Sequence, residues 1–319
     1  MWVRCSTAFF LAFLGAISRA DDKADRAPAG VYKAEAVAAS PKMSASGMAW
    51  WNNRLIIADR GGKRLLAFIA PDKFETFAEK LTPVGVAVDP DGNLVVVDRD
   101  EDSRLLRFTA EGKRTTIVSD EVGTPQFLVV HKSGTIYWSG FPDGGTRSLA
   151  PDGKPTVHTP RIGHTYGVGL SPKQDWLYVS SKLPNADRRG MWRFPLDEKG
   201  KPGDAEFFLK VQNLEPDLPG LPTAKDSAKS LLGWVGRLQG LAVDSLGNLY
   251  IAGAESHTSG EAVAVVSPDG KKVVAMILGV PRNISGLAFG GEDGRTLFIT
   301  GAGEYQLHQV RLPAAGAGR

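Results

Sequence analysis

The sequence contains almost no cysteine, because Cys5 is its single copy among 319 residues. One cysteine cannot close an intramolecular disulfide or complete a cysteine-based metal site. The chain also lacks the motifs GxSxG, GxGxxG and HExxH, a P-loop, and any Cys/His cluster. Their absence removes the short motifs by which serine hydrolases, nucleotide-binding enzymes and zinc proteases are commonly recognised.

Charge of one sign is not in excess either. The 38 lysines and arginines oppose 35 aspartates and glutamates, which gives a formal net charge of +3. A nearly neutral chain argues against nucleic acid or an anionic membrane as the main partner. Hydrophobic residues make up 42% and charged residues 23% of the chain, a composition typical of a globular protein with a large core.

One long hydrophobic run, TAFFLAFLGAI, lies near the N-terminus and follows Arg4. Ser18 and Ala20 supply the small residues that a signal peptidase recognises, and the run is too short to span a bilayer. We therefore expect a signal peptide at residues 1–20 and a secreted or periplasmic protein without a membrane anchor. Cleavage after Ala20 would remove the only cysteine and two arginines, leaving a net charge of +1.

A phrase recurs along the rest of the chain. GVAVDPDGNLVVVD from Gly85 and GLAVDSLGNLYIAG from Gly240 are identical at seven of fourteen positions. Related phrases begin at four further positions, so the steps between successive starts are 38, 42, 40, 73 and 46 residues. Those four starts are Gly47, Phe127, Gly167 and Gly286. Six units of about forty residues predict a six-bladed β-propeller.

Each unit has the pattern of a four-stranded meander. GVAV and LVVV are continuously apolar, as strands covered on both faces are, and DPDGN between them is typical of a tight turn. The sixth unit is one strand short, so we expect residues 31–37 to supply it and close the ring. The predicted organisation is a linker at 21–30, an all-β propeller at 31–312 and a flexible tail at 313–319. An insertion at 212–236, with a short helix, is expected to act as a lid.

The repeated phrases resemble two families of propellers. PxGxAVDxxGNLxVxD is similar to NHL repeats, whereas GLAFGGEDGRTLFITG and AVDSLGNLYIAG look more like the gluconolactonase/regucalcin family. The second resemblance covers about residues 31–311. It implies a six-bladed propeller with a divalent cation at the mouth of the central funnel, held by a Glu, an Asn and an Asp that precede three inner strands. The matching positions here are Ser46, Tyr166 and Gln239, none of which carries charge.

We therefore predict that no cofactor is held at these positions, with a calcium or zinc ion as the alternative. Six residues precede the inner strands and are expected to line the funnel mouth: Ser46, Val84, Gln126, Tyr166, Gln239 and Ser285. Ordered water would fill such a mouth in a purely structural channel. The functional interpretation is a small polar ligand, held by hydroxyls and amides with Tyr166 as a stacking face.

Two further groups of residues are candidates for chemistry. His164, His257 and Glu255 belong to neighbouring blades and are candidate catalytic residues, either as a base or as a zinc site, unless they are ordinary loop residues. Arg60 and Arg99 each follow an aspartate at the end of a second strand. These Asp-Arg pairs predict either ion pairs between blades or a basic rim suited to an anionic ligand.

Three functions follow from these observations. The first is an exported, divergent or non-catalytic propeller, expected to be a monomer, that binds a small polar molecule such as a sugar, or a protein, through the funnel face. The second is a hydrolase or lactonase with relocated catalytic groups. The third is an NHL-like scaffold that binds proteins through its rim.

Overall fold

A computed structural model describes residues 24–140, 145–158, 164–182, 190–210, 214–216, 218, 238–253, 262–303 and 306–318. These residues form β-strands and turns without a helix, and the strands assemble into six sheets. The predicted all-β, six-bladed propeller is confirmed. Within the described ranges, no helix has the length and hydropathy that crossing a membrane requires.

The first half of the ring consists of three four-stranded sheets, preceded by two short N-terminal strands. The N-terminal strands are β1 (Gly30–Lys33) and β2 (Glu35–Ala36). Blade one is β3 (Ala45–Trp51), β4 (Arg54–Asp59), β5 (Arg64–Ile69) and β6 (Lys73–Glu79). Blade two is β7 (Pro83–Val88), β8 (Leu94–Arg99), β9 (Ser103–Phe108) and β10 (Arg114–Val118). Blade three is β11 (Pro125–Val130), β12 (Ile136–Gly140), β13 (Thr146–Leu149) and β14 (Thr156–Val157).

The second half of the ring follows the same order. Blade four is β15 (His164–Leu170), β16 (Trp176–Lys182), β17 (Gly190–Pro195) and β18 (Glu206–Lys210), and the short β19 (Glu215–Pro216) comes next. Blade five is β20 (Leu238–Val243), β21 (Leu249–Gly253), β22 (Val263–Val266) and β23 (Lys272–Leu278). Blade six contains β24 (Ile284–Gly290), β25 (Thr296–Gly301) and β26 (His308–Arg311).

The first strand of each blade lies innermost and contacts the first strands of the two neighbouring blades, all the way around the ring. The second strands are covered on both faces by adjacent blades. Leu55, Ile56 and Ile57 of β4 are completely buried, as is the run Leu94–Val97 of β8. Burial on both faces is the reason that these strands are continuously apolar rather than alternating.

The polar residues of the repeated AVDxxGN phrase form the hairpin turn between the first two strands of a blade. Asp89 Oδ1 accepts the backbone N–H of Asn93 at 2.8 Å, and Asp244 Oδ1 accepts that of Asn248 at 2.9 Å. The glycine between them has a positive φ, 79° at Gly92 and 87° at Gly247, which few other residues adopt without strain. The repeated letters therefore form a turn at the end of the channel opposite the mouth.

The N-terminal segment is shared between two blades. β2 pairs with β26 in antiparallel register and gives blade six its fourth strand. The closing strand predicted at residues 31–37 is therefore only two residues long. β1 instead runs parallel to β23 at the outer edge of blade five, where β19 also pairs. The pairing between residues 35–36 and 308–309 joins the two ends of the chain within one sheet.

The C-terminal segment differs from the flexible tail expected at 313–319. Ala314 is completely buried, Gly316 pairs with Asp244, and the N–H of Ala317 donates to the carbonyl of Val243 at 2.9 Å. Asp25 accepts the N–H of Ala315 at 3.1 Å and pairs with Arg295 at 3.2 Å. Small residues pack here because a side chain at Gly316 would overlap Phe289. The proposed lid at 212–236 and its helix fall almost entirely outside the described residues.

Blade three carries His131 at the position of the hairpin aspartate. His131 is completely buried, its Nδ1 accepts the N–H of Ser133 at 3.1 Å, and its Nε2 donates to the carbonyl of Gln174 in blade four at 3.0 Å. These bonds require the neutral ring with the proton on Nε2. Burial is the main cause that lowers the pKa of His131, with Lys132 acting in the same direction and Asp197 opposing it.

We expect this histidine to make the stability of the propeller depend on pH. A folded-state pKa below the unfolded value means that the unfolded chain binds the proton more tightly, so protonation favours unfolding. The contribution is complete above the unfolded pKa of about 6.5 and is lost as the pH falls through the folded pKa. Urea unfolding measures this effect. Between pH 8 and pH 5, the free energy of unfolding should fall less in His131→Asn than in the parent chain. Equal losses would contradict this prediction.

Candidate functional site

The funnel mouth lies where the six inner strands begin, and each inner strand is irregular there. Pairing between the first and second strands shifts register between Pro83 and Gly85 in blade two and between Leu238 and Gly240 in blade five. The same shift occurs in the other four blades. Each shift spans one or two residues and includes one predicted mouth residue: Ser46, Val84, Gln126, Tyr166, Gln239 or Ser285. Because β-bulges re-aim side chains out of a sheet, the backbone sets these six positions apart.

Glycine follows most of the mouth positions because the inner strands approach closely. A Cβ on Gly47 would lie 2.8 Å from the Cα of Gly85 in the next blade, and one on Gly85 would lie 2.9 Å from the carbonyl oxygen of Gln126. Phe127 is the exception, and its N–H donates to Ser139 Oγ at 3.2 Å. The small residues bring the blades together and leave the mouth residues above them.

The described side chains at the mouth are neutral and differ in exposure. Ser46 and Gln126 are half-buried, whereas Val84, Tyr166 and Ser285 are buried. Ser285 Oγ donates to the carbonyl of Ala45 at 2.6 Å, so this hydroxyl joins blade six to blade one. For Gln239 the structure describes the backbone in β20 and not the side chain. Ser46 and Gln126 are therefore the polar side chains here that are partly open to solvent.

Below the mouth the channel is apolar. A cavity of about 210 Å³ is lined by glycines and aliphatic side chains together with Phe127. A second cavity, of about 290 Å³, continues to the opposite end, where Gly316, Ala317 and Gly318 of the C-terminal segment contribute to its wall. A polar ligand would find hydrogen-bonding groups at the mouth and apolar surface beneath them.

The Asp-Arg pairs are arranged differently from the ion pairs between blades that the sequence suggests. Asp59 is buried and pairs with Arg64 of its own blade at 3.0 Å, and Asp98 pairs with Arg104 of its own blade at 2.9 Å. The signal for these partners is present in the sequence, since Arg-Leu-Leu follows each aspartate after a short turn.

Each aspartate also fastens the strand entry beside it. Asp98 Oδ1 accepts the N–H of Thr82 at 2.7 Å, and Asp59 Oδ1 accepts the N–H groups of Ser44 at 3.2 Å and Gly62 at 3.1 Å. Both carboxylates are thus fully used within their own blades. The aspartates belong to the scaffold of the mouth.

Arg60 and Arg99 are left without these carboxylates. Strand pairing sets Asp59 beside Ala45 and Asp98 beside Pro83, so the arginine after each aspartate lies on the mouth face. Arg60 is exposed and Arg99 is half-buried. Burial, followed by the nearby positive charge of Arg60, lowers the pKa of Arg99. The N–H of Leu81 donates to the carbonyl of Lys63, in the turn that Arg60 begins, at 3.5 Å, and the N–H of Arg99 donates to the carbonyl of Thr82 at 2.8 Å. Both arginines therefore flank the segment that joins blade one to blade two.

The predicted catalytic group falls largely beyond the described ranges. The backbone of His164 begins β15 and pairs with Lys182 at the mouth face, while Glu255 and His257 lie outside the described residues. Sequence reasoning missed another pair, Ser148 and His158, because no motif marks either residue. Ser148 Oγ on β13 and His158 Nε2, directly after β14, are 2.5 Å apart, and burial lowers the pKa of His158.

The family of the chain follows from comparison with known proteins. The model of the SMP-30/Gluconolactonase/LRE-like region matches residues 44–303, which include blades one to five and the two inner strands of blade six. The chain belongs to this family. The resemblance to gluconolactonase and regucalcin is thus confirmed.

Individual members of the SMP-30/gluconolactonase family share about a third or less of their residues with this chain over the aligned parts. A gluconolactonase from Zymomonas mobilis subsp. mobilis is 26% identical over 256 residues, 73% of this chain and 64% of that protein. A 6-deoxy-6-sulfogluconolactonase from Pseudomonas putida is 34% identical over 138 residues, 43% of this chain and 38% of that protein. The chain thus spans less than two thirds of the length of either relative.

The solved structure of a calcium-binding protein, regucalcin, from Agrobacterium tumefaciens matches with a TM-score of 0.67 at 20% identity. The match covers 91% of this chain and 97% of that one. At this level of identity, the likeness shows the shared fold.

The divalent cation that the family implies does not fit the described mouth. Ser46 and Tyr166 stand at two of the three ligand positions and offer neutral hydroxyls, where hard divalent ions prefer carboxylate oxygens. Among the described residues, no group of three histidine, cysteine, aspartate or glutamate side chains is arranged to hold a metal ion. The aspartates closest in sequence to the mouth of blades one and two are paired with arginines.

Proposed function

We propose that this member of the SMP-30/gluconolactonase family is an exported, non-catalytic propeller that binds a small polar, sugar-like molecule at the funnel mouth. The observation that carries the proposal is the uncharged mouth. Ser46 stands where the family implies a glutamate ligand, and Tyr166 stands where it implies an asparagine ligand. In lactone hydrolysis by the family, the cation would polarise the carbonyl or activate water, and the neutral mouth residues offer no charge that could replace it. A hydroxyl and an amide remain as binding groups.

The mouth suits a molecule that carries many hydroxyl groups. Gln126 offers both a donor and an acceptor through its amide, and Ser46 offers a hydroxyl that serves as either. Apolar surface below them suits the carbon skeleton of a sugar, as the mixed linings of small-molecule sites do. Both relatives reported above are named for sugar lactones, and this supports a sugar-like ligand class for this chain.

Binding of D-glucitol, an unreactive neutral polyol, tests the proposal. We expect ligand-observed NMR and calorimetry to detect binding that 5 mM EDTA does not change, since no metal takes part. Gln126→Ala should weaken binding by about tenfold, because the amide makes the polar contacts in a partly dry site. Gln309→Ala on β26 is the matched control, a half-buried glutamine far from the mouth. Absence of binding to any polyol would contradict the proposal.

Membership of a family with lactonases supports a second candidate, hydrolysis by relocated groups. Incubation with D-glucono-1,5-lactone, corrected for spontaneous opening, distinguishes the two functions. Hydrolysis without added metal that falls in His164→Ala and His257→Ala would establish the second candidate. Metal-dependent hydrolysis would overturn the proposal of a non-catalytic binder. Capture of a protein that leaves the mouth accessible to D-glucitol would point instead to a scaffold acting through the rim.

A further inference from the structure

We infer that the ligand carries an acidic group, and that Arg60 and Arg99 together bind it at the junction of blades one and two. This inference rests on the proposed function, because it assigns a charge class to the ligand of the same mouth. The chemistry is that of a carboxylate, sulfonate or phosphate on a sugar-like body. Arginine suits each of these, because its planar guanidinium donates two parallel hydrogen bonds.

The first support is that the fold separates each arginine from the aspartate before it. Asp59 is 2% exposed and Asp98 is 0% exposed, and both are held by Arg64 and Arg104. The carboxylates thus neutralise arginines on the third strand of each blade and not the arginines that follow them. In the described part of the chain, neither Arg60 nor Arg99 is paired with a carboxylate.

The second support is that the arrangement is unfavourable without an anion. Arg60 and Arg99 flank the short segment Leu81–Thr82, which is bonded to the turn after Arg60 and to Arg99 itself, and Arg99 is half-buried. Burial and the positive charge of Arg60 both disfavour the charged form of Arg99. Like charges at short range repel, and desolvation raises the free energy of a charged group. An anion between the two guanidinium groups would relieve both penalties at once. Charged groups whose surroundings disfavour the charged form are typical of binding sites.

The third support is position. Arg60 directly follows β4, and Arg99 is the last residue of β8. The N–H of Arg99 donates to the carbonyl of Thr82 at 2.8 Å, and the N–H of Gly61 donates to that of Ser44 at 3.4 Å, so both arginines lie on the mouth face where inner strands begin. Asp100, Glu101 and Asp102 come next in the chain and are exposed in the turn before β9. Solvent screens these exposed carboxylates strongly, whereas the half-buried Arg99 retains a field that acts on a bound group.

Comparing D-gluconate with D-glucitol tests the inference, because the two differ by a carboxylate in place of one terminal alcohol group. We expect calorimetry at 50 mM NaCl to show that D-gluconate binds at least about tenfold more tightly. Raising NaCl to 500 mM should reduce the advantage by screening. D-glucose 6-phosphate in place of D-gluconate tells a phosphoryl group from a carboxylate as the preferred acid.

Substitution assigns the effect to the two arginines. Arg60→Gln and Arg99→Gln should each weaken D-gluconate binding by about tenfold while D-glucitol binding stays unchanged. Arg99→Lys should restore part of the affinity, since it keeps the charge and loses the planar fork. Arg114→Gln is the matched control, an exposed arginine of β10 on the outer edge of blade two. Urea midpoints confirm that each variant is folded.

The outcomes separate the two proposals. Equal binding of D-gluconate and D-glucitol, or D-gluconate binding that both arginine variants leave intact, would overturn the anion site and leave the sugar-binding proposal standing. If neither polyol binds, the sugar-binding proposal fails. In that case inorganic phosphate is the remaining probe. Binding of phosphate that Arg60→Gln and Arg99→Gln abolish would still support an anion site, and its absence would overturn that as well.

Discussion

Replacing Gly286 with alanine is expected to destabilise the propeller by about 3 kcal/mol or more. Gly286 lies on the inner strand of blade six, where the last blade meets the first. An added Cβ would overlap the carbonyl oxygen of Ser46 and lie 2.6 Å from Thr300 Oγ1. Backbone cannot move aside as a flexible side chain does, so blade six would have to move away from blade one. The joint that closes the ring would then open.

Gly169→Ala on the inner strand of blade four is the matched control. Its added Cβ would meet the side chain of Leu241 at 3.1 Å, and a leucine can shift by a few tenths of an ångström. We expect a loss of about 1 kcal/mol or less there. Urea unfolding followed by tryptophan fluorescence measures both variants. If the two substitutions lower the free energy of unfolding equally, the close backbone approach at Gly286 is not the cause of the loss, and the prediction is wrong.

The closing joint also includes Ser285. Its hydroxyl donates to Ala45 across the same interface that Gly286 makes possible. The sequence alone treats all six mouth positions alike, because each precedes an inner strand. The structure separates them by their partners, and Ser46 and Gln126 stay partly open while Ser285 is buried against blade one.

The fold was predictable because its signals are local and repeated. Asp89, Gly92 and Asn93 build one hairpin turn, and Asp244, Gly247 and Asn248 build the same turn again, so a phrase of five letters identifies the blade. The continuously apolar strands follow from burial on both faces.

Long-range contacts were not predictable in the same way. The ordering of the C-terminal segment depends on Asp25, Ser245 and Arg295, which are far apart in sequence and meet only once the ring has closed. Small residues such as those of PAAGAG are typical of mobile tails, and nothing local shows that Ala314 becomes completely buried. The partners of Asp59 and Asp98 were also missed, although they are close in sequence, because Arg60 and Arg99 are closer.

The neighbours Asp98 and Arg99 should have opposite roles, and their variants provide the sharpest separation of scaffold from site. Asp98→Ala is expected to cost about 3 kcal/mol, because it leaves Arg104 and the N–H of Thr82 without their acceptor beneath the mouth. Arg104 is one-third exposed, so water recovers part of its hydration and keeps the loss at the lower end for buried pairs. Asp100→Ala, an exposed aspartate two residues further on, should change stability by no more than about 0.5 kcal/mol.

Arg99→Gln should leave the unfolding free energy within about 1 kcal/mol of the parent chain, because it removes one of two neighbouring like charges and no ion pair. Urea unfolding and D-gluconate calorimetry on the three variants then give a crossed pattern. Asp98→Ala loses stability, Arg99→Gln loses anion affinity, and Asp100→Ala loses neither. A large loss of stability in Arg99→Gln would assign this arginine to the scaffold and contradict its role in binding an anion.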